Sequence, residues 1–221
     1  MMQRDLKNNP LTYVSLFSSA GVGCYGFKQE DFECVATNEI IERRLNVQKH
    51  NNKCQYESGY ISDDITNEEA KNKIRLELDF WKKNHGIKEL DVLIATPPCQ
   101  GMSVANHKKG DELARNSLVV ESIKLTSEFN PKFFLFENVR AFLNSVCTDT
   151  DGAEKTIREA IELNLGGRYN IHYQVINFKD YGNPSSRTRT LVLGVRKDMP
   201  EITPLNFMPA LQNERTVREV I

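Results

Sequence analysis

The sequence predicts an α/β protein on a doubly wound, mostly parallel sheet with an antiparallel hairpin at one edge. Two patterns within its 221 residues carry that prediction. Short apolar runs rich in β-branched and aromatic residues alternate with helix-like segments, as strands buried on both faces alternate with crossover helices. After residue 168 the alternation gives way to two extended runs around a Gly/Pro/Ser turn, which is hairpin chemistry. The length suits one domain with one substantial core.

Taken in order, strands are predicted at residues 13–17, 34–37, 91–95, 133–136 and 191–195, each bounded by turn residues. Helices are predicted at residues 40–50, 67–84, 117–129 and 154–164. The second of these has a capping-box start at Thr66 and Glu69 and a stop at Gly86. The hairpin is YNIHYQVINF, then YGNPSS, then TLVLGV. In such a fold ligands sit beyond the carboxyl ends of the strands, where the winding reverses. The loops that follow the strands are therefore where function is sought.

Composition narrows the partners. Basic and acidic residues number 29 and 30, a net charge of −1, so phosphate or anionic lipid meets no global attraction and any nucleic-acid contact comes from local patches. Five cysteines with no CxxC pair argue against a disulfide framework and a zinc site, and for a reducing, cytoplasmic compartment. No apolar stretch approaches the roughly 20 residues that span a bilayer, so no membrane partner is expected.

The first strand runs into Phe17-Ser-Ser-Ala-Gly-Val-Gly23. Small residues at a strand-to-helix turn let backbone N–H groups approach a ligand, although a plain tight turn has the same composition. Glu39 ends the second strand, where a carboxylate accepts from both ribose hydroxyls of a nucleoside cofactor. Asp64 could bond an adenine amine. Loop, Glu39 and Asp64 jointly outline an adenosine pocket.

Thr96-Pro-Pro-Cys-Gln-Gly101 follows the strand at 91–95. Its prolines fix the backbone and present the Cys99 thiol at a turn that favours the thiolate. Cys24, Cys34, Cys54 and Cys147 read instead as small buried hydrophobes. Phe136-Glu-Asn-Val139 puts an acid and an amide at the same carboxyl edge if its strand neighbours that of Cys99. In Ser185-Ser-Arg-Thr-Arg189 the period of two points Arg187 and Arg189 to one face, suited to an anionic or carbonyl-bearing ligand or to guarding an edge strand with charge.

In order, LFSSAGVGCYGF, ATNE, SDDI, TPPCQG, ENV and SSRTR resemble the ordered motifs of cytosine-5 DNA methyltransferases over nearly all of residues 12–196. The resemblance implies a class I, Rossmann-like fold that binds S-adenosylmethionine. Phe17, Ser19, Ala20 and Gly21 would surround its methionine part, Glu39 its ribose, and Ile40, Asp64 and Ile65 its adenine. Pro97 and Leu118 would also touch the cofactor. Residues 102–115 match a mobile loop that closes over a flipped base, with Lys108 and Lys109 near phosphate.

The resemblance further implies that Cys99 adds to carbon 6 of cytosine, Glu137 holds ring nitrogen 3 and the exocyclic amine, and Arg189 binds the carbonyl at carbon 2. Asn138 and Arg187 would support them. Ser19 and Val22 stand where the family usually has glycine, Ile40 where an aromatic often stacks, and Ser185 where glutamine is usual. Residues 1–196 then form the cofactor-binding catalytic domain, and residues 197–221 begin the connection to a target-recognition region that is absent. Double-stranded DNA and a second polypeptide carrying that region are the expected partners, in a restriction-modification setting. A tRNA cytosine-5 methyltransferase and a catalytically silent regulatory module remain alternatives.

Overall fold

A computed structural model describes residues 10–98, 113 and 116–219. The chain divides into two compact units, Met1–Thr96 with Glu128–Lys132 and Pro97–Ser127 with Phe133–Ile221.

The first unit contains β1 (Thr12–Leu16), α1 (Tyr25–Gln29), β2 (Glu33–Asn38), α2 (Glu42–His50), β3 (Tyr60–Ile61), α3 (Glu68–His85) and β4 (Val92–Ala95). Its strands lie in the order β3-β2-β1-β4, all parallel. The chain steps outward from β1 through β2 to β3, then returns to place β4 on the other side of β1. The winding therefore reverses between β1 and β4, the doubly wound arrangement read from the sequence. Every residue of β1 and β4 is buried, which is why β4 reads as an unbroken apolar run and β1 as a mostly apolar one that includes the buried Thr12 and Ser15. Asp91 ties their starts together, accepting the Thr12 amide at 2.8 Å and the Lys132 ammonium at 2.7 Å.

Helix α3 buries Ala70, Ile74, Leu78 and Trp81, a stripe at helical spacing. It stops at Gly86, whose φ of 68° supplies the left-handed turn expected there. Its start corrects the sequence reading. The N-cap is Asn67, without a side-chain cap bond, and the Thr66 hydroxyl donates to Asp64 Oδ1 at 2.8 Å rather than pairing with Glu69. Asp64 also accepts the Thr66 amide at 2.9 Å, so a local carboxylate turn outcompetes the capping box. Glu69 pairs along the helix with Lys73 at 3.1 Å.

The second unit holds most of α4 (Leu118–Phe129), then β5 (Phe133–Asn138), β6 (Val146–Thr148), β7 (Glu154–Thr156), α5 (Ile157–Leu165), β8 (Tyr169–Asn177) and β9 (Thr188–Arg196). Strand β9 lies between β5 and β8, antiparallel to both, so β8–β9 is the predicted hairpin. The helix expected at 154–164 begins later, because residues 154–156 pair with β6 in a two-stranded antiparallel ribbon. Thr156 and Glu159 form the reciprocal capping box that starts α5. Between β5 and β9, Phe134 faces Gly194 in register, and an added Cβ on that glycine would lie 1.9 Å from the Phe134 ring.

Among the described residues no helix is long and apolar enough to cross a membrane. Cys24, Cys34, Cys54 and Cys147 are free and buried, as expected.

Candidate active site

The loop after β1 is held in an unusual backbone shape. Phe17, Ser19 and Gly21 have φ values of 53°, 49° and 84°. Glycine adopts such angles freely, whereas other L-residues pay for them. Ser19 thus takes a conformation suited to the glycine that the resemblance expects there. What the shape achieves is contact with Glu39: the Ser19 amide donates to Glu39 Oε2 at 2.8 Å. Glu39 is 5 % exposed at the carboxyl end of β2, and its Oε1 accepts the Ile41 amide at 3.0 Å. Arg44 lies 3.5 Å from the same oxygen.

A carboxylate has about four lone-pair sites, so two amides and one guanidinium leave acceptor capacity for a ribose hydroxyl. Ile40, beside it, is 60 % exposed and offers the apolar surface an adenine face needs. Ala20 and Gly21 are half-buried, Asp64 is half-buried and committed through one oxygen to Thr66, and Ile65 lies in the core. The residues of this unit fit a nucleoside-bearing cofactor through the spare acceptor capacity of Glu39 and the exposed apolar face of Ile40 beside it.

Of the predicted catalytic side chains, the second unit brings Glu137 and Arg189 together, with Asn138 next to Glu137 in sequence. In the β5–β9 ladder Glu137 stands opposite Leu191, which places it diagonal to Arg189 on the same face. Arg189 Nε meets Glu137 Oε1 at 2.8 Å, and Nη1 donates to the Thr188 carbonyl at 2.7 Å. Arg187 precedes the strand and is exposed, so it does not share this pairing.

Asn138 is 3 % exposed. Its Nδ2 donates to the Pro97 carbonyl at 2.9 Å, and its Oδ1 accepts the Val139 amide at 2.8 Å. Thr190 Oγ1 donates to the Val139 carbonyl at 3.1 Å, fixing the turn after β5. Pro97 is buried, and Leu118 is half-buried at the start of α4. Cys99, Lys108, Lys109 and the 102–115 loop lie outside the described residues, apart from Leu113.

Sequence reasoning missed two elements of the first unit. Asn38 Nδ2 donates to the carbonyls of Ile61 and Asp63 at 3.3 and 2.8 Å, holding the loop that carries Asp64. Gln48, on α2, reaches the loop after β1 and is 1 % exposed. The available signal was its position three residues after Leu45, on the only buried stripe of that helix among the described residues.

The family model for C-5 cytosine-specific DNA methylases matches residues 11–220. The chain is 32% identical over 183 residues to the Type II methyltransferase M1.HgaI of Avibacterium volantium, covering 81% of this chain and 48% of that protein. It is 31% identical over 191 residues to the Type II methyltransferase M.XorII of Xanthomonas oryzae, covering 85% and 41%. Among solved structures, a chain described as a DNA modification methyltransferase encoded within an E. coli prophage superposes with a TM-score of 0.69. It is 27% identical, over 95% of this chain and 53% of that one. The chain thus spans about half the length of such relatives.

Proposed function

Because the chain belongs to the C-5 cytosine-specific DNA methylase family, we propose that it forms the cofactor-binding and catalytic part of a DNA cytosine-5 methyltransferase of a restriction-modification system. The observation that carries the reading is the convergence on one unit of two features. Glu137 and Arg189 pair across β5 and β9, and Asn138 tethers Pro97, two residues before Cys99.

S-adenosylmethionine, when bound, supplies an electrophilic methyl group on a sulfonium. Glu39 and the Ser19–Gly21 loop would hold its nucleoside and methionine parts. Carbon 5 of cytosine is too weak a nucleophile to accept that methyl until a group adds across the neighbouring double bond. The Cys99 thiolate adds at carbon 6, and the electron pair released to carbon 5 gives it enamine character. Glu137 holds ring nitrogen 3 and the exocyclic amine as charge develops there, and Arg189 binds the carbonyl at carbon 2. Carbon 5 so activated would take the methyl group, leaving the sulfonium sulfur as a neutral thioether, and loss of the carbon 5 proton to a base would then expel the Cys99 thiolate and restore the ring. The target base reaches these groups by flipping out of the duplex.

The relatives are about twice as long as this chain. The test is transfer of labelled methyl from S-adenosylmethionine to DNA and RNA pools, with a Cys99→Ser control. Label in DNA that vanishes with the serine variant supports the assignment. Label in RNA alone would replace DNA by tRNA as substrate, and label in neither polymer would remove self-sufficient catalysis.

A further inference from the structure

We propose that Gln48 is a positioning residue of the cofactor loop, holding Ser19 in the left-handed conformation that presents its amide to Glu39. The proposal rests on the reading that this loop binds S-adenosylmethionine.

Gln48 sits on α2, a largely polar helix on which Leu45 is the other buried residue, and it is 1 % exposed. A buried carboxamide is costly unless its groups are bonded. Here they are. Nε2 donates to Ser18 Oγ at 2.8 Å and to the Ser19 carbonyl at 2.5 Å. Oε1 accepts the Thr37 hydroxyl at 2.8 Å, and that hydroxyl in turn accepts from Lys53 Nζ at 3.0 Å. Ser18 Oγ passes its own proton to the Asn38 carbonyl at 3.0 Å.

The network therefore clamps both sides of the strained residue. Ser18 is fixed to the end of β2 through its hydroxyl, and also through its amide, which donates to the same Asn38 carbonyl at 3.0 Å. The Ser19 carbonyl is fixed to Gln48, while the Ser19 amide points the other way to Glu39. A second contact shows how closely loop and side chain are matched. A Cβ added at Gly21 would lie 3.0 Å from Gln48 Cγ, so the loop rests on the glutamine stem. Strained backbone persists where surrounding structure over-determines it, and Gln48 is the side chain that touches both residues flanking the strained peptide.

Two variants separate the parts of the argument. Gln48→Met keeps the volume and removes every bond. Gln48→Glu keeps the acceptor for Thr37 and removes the donors to Ser18 and Ser19. The readouts are site-resolved amide exchange in the protein alone and the Kd for S-adenosylmethionine. Both variants are expected to lose about tenfold protection at the Ser19 amide, with β1 and β2 unchanged, and to weaken cofactor binding about tenfold, the worth of one buried hydrogen bond. A general loss of packing would instead raise exchange across β1 and β2 together. Unchanged exchange at Ser19, or loss spread over the whole unit, overturns the positioning role. If the parent protein binds no cofactor while the exchange result holds, the cofactor reading falls and the positioning of Ser19 by Gln48 stands.

Discussion

Arg189 and Glu137 close an ion pair of 2.8 Å diagonally across the β5–β9 ladder, with side chains 15 % and 27 % exposed. At that depth the pair is neither a solvated surface bridge, worth little, nor a dry one whose rupture costs several kcal/mol. Each partner holds the other where the proposed substrate would meet it. Cytosine would then enter by exchanging contacts with two charged groups already aligned on one face.

Arg189→Ala leaves the carboxylate without its cation and is expected to destabilise the fold by about 1 kcal/mol, a fall of roughly 2–4 °C in Tm. Methyl transfer is expected to fall far more, by about a hundredfold or beyond, because a group aimed at developing charge is lost. Arg189→Lys keeps the charge without the planar fork and should lie between. A double-mutant cycle with Glu137→Gln measures the coupling, and zero coupling would show that the contact carries no energy.

The φ of 49° at Ser19 leads to a prediction of opposite sign. A left-handed residue other than glycine costs about 1–2 kcal/mol, and glycine loses about half of that advantage through its freer unfolded chain. Ser19→Gly is therefore expected to stabilise the protein by about 0.5–1 kcal/mol in denaturant unfolding. Ser19→Val, β-branched at the same angle, should destabilise it. Loss of stability in the glycine variant would mean that the serine side chain makes a contact worth more than the strain.

Much of this fold was legible because its signals are local. Strand β4 announces itself as an unbroken apolar run and β1 as a mostly apolar one, and Gly86 as the stop of α3. The errors arose where two local signals competed. Thr66–Glu69 and Thr156–Glu159 have the same capping-box spacing, and only the Asp64 carboxylate beside Thr66 decides between them. Gln48 was hidden for another reason. On a helix with few apolar residues a glutamine reads as solvent-facing until the strand-end hydroxyls it satisfies are known to lie beneath it. The pairing of Glu137 with Arg189 depends on register between strands some fifty residues apart, which no short-range pattern encodes.

Gly194 in β9 shows a different kind of long-range constraint. Its partner Phe134 lays its ring where a side chain would stand. Gly194→Ala would have to displace a ring that is 1 % exposed, itself 4.8 Å from Phe136 and 5.1 Å from Tyr169. Overpacking of this severity is expected to cost about 3 kcal/mol or more. Adding Phe134→Leu to the alanine variant should recover part of the loss, measured as soluble yield and Tm. If Gly194→Ala melts with the parent, the close approach of ring and backbone is not obligatory.

The alkaline limb of stability should report on Cys147. It lies on β6 opposite Lys155 of β7 and is fully buried, and burial, reinforced by the nearby Asp149 carboxylate, pushes its pKa up from 9.0 to about 11. An acid whose pKa is higher folded than unfolded binds its proton more tightly when folded. Its contribution is therefore complete below the ordinary thiol range and declines as pH rises from about 9 to about 11, where only the unfolded chain ionises. Tyr169, pushed up to about 12 chiefly by burial, extends the same decline to higher pH. Thermal melts from pH 8 upward are expected to show falling Tm across this window, and Cys147→Ala, which removes the titrating group, should flatten the fall. An equally steep fall in that variant would assign the alkaline loss to the other buried acids instead, the Cys24 and Cys54 thiols and the tyrosines, which burial also pushes up.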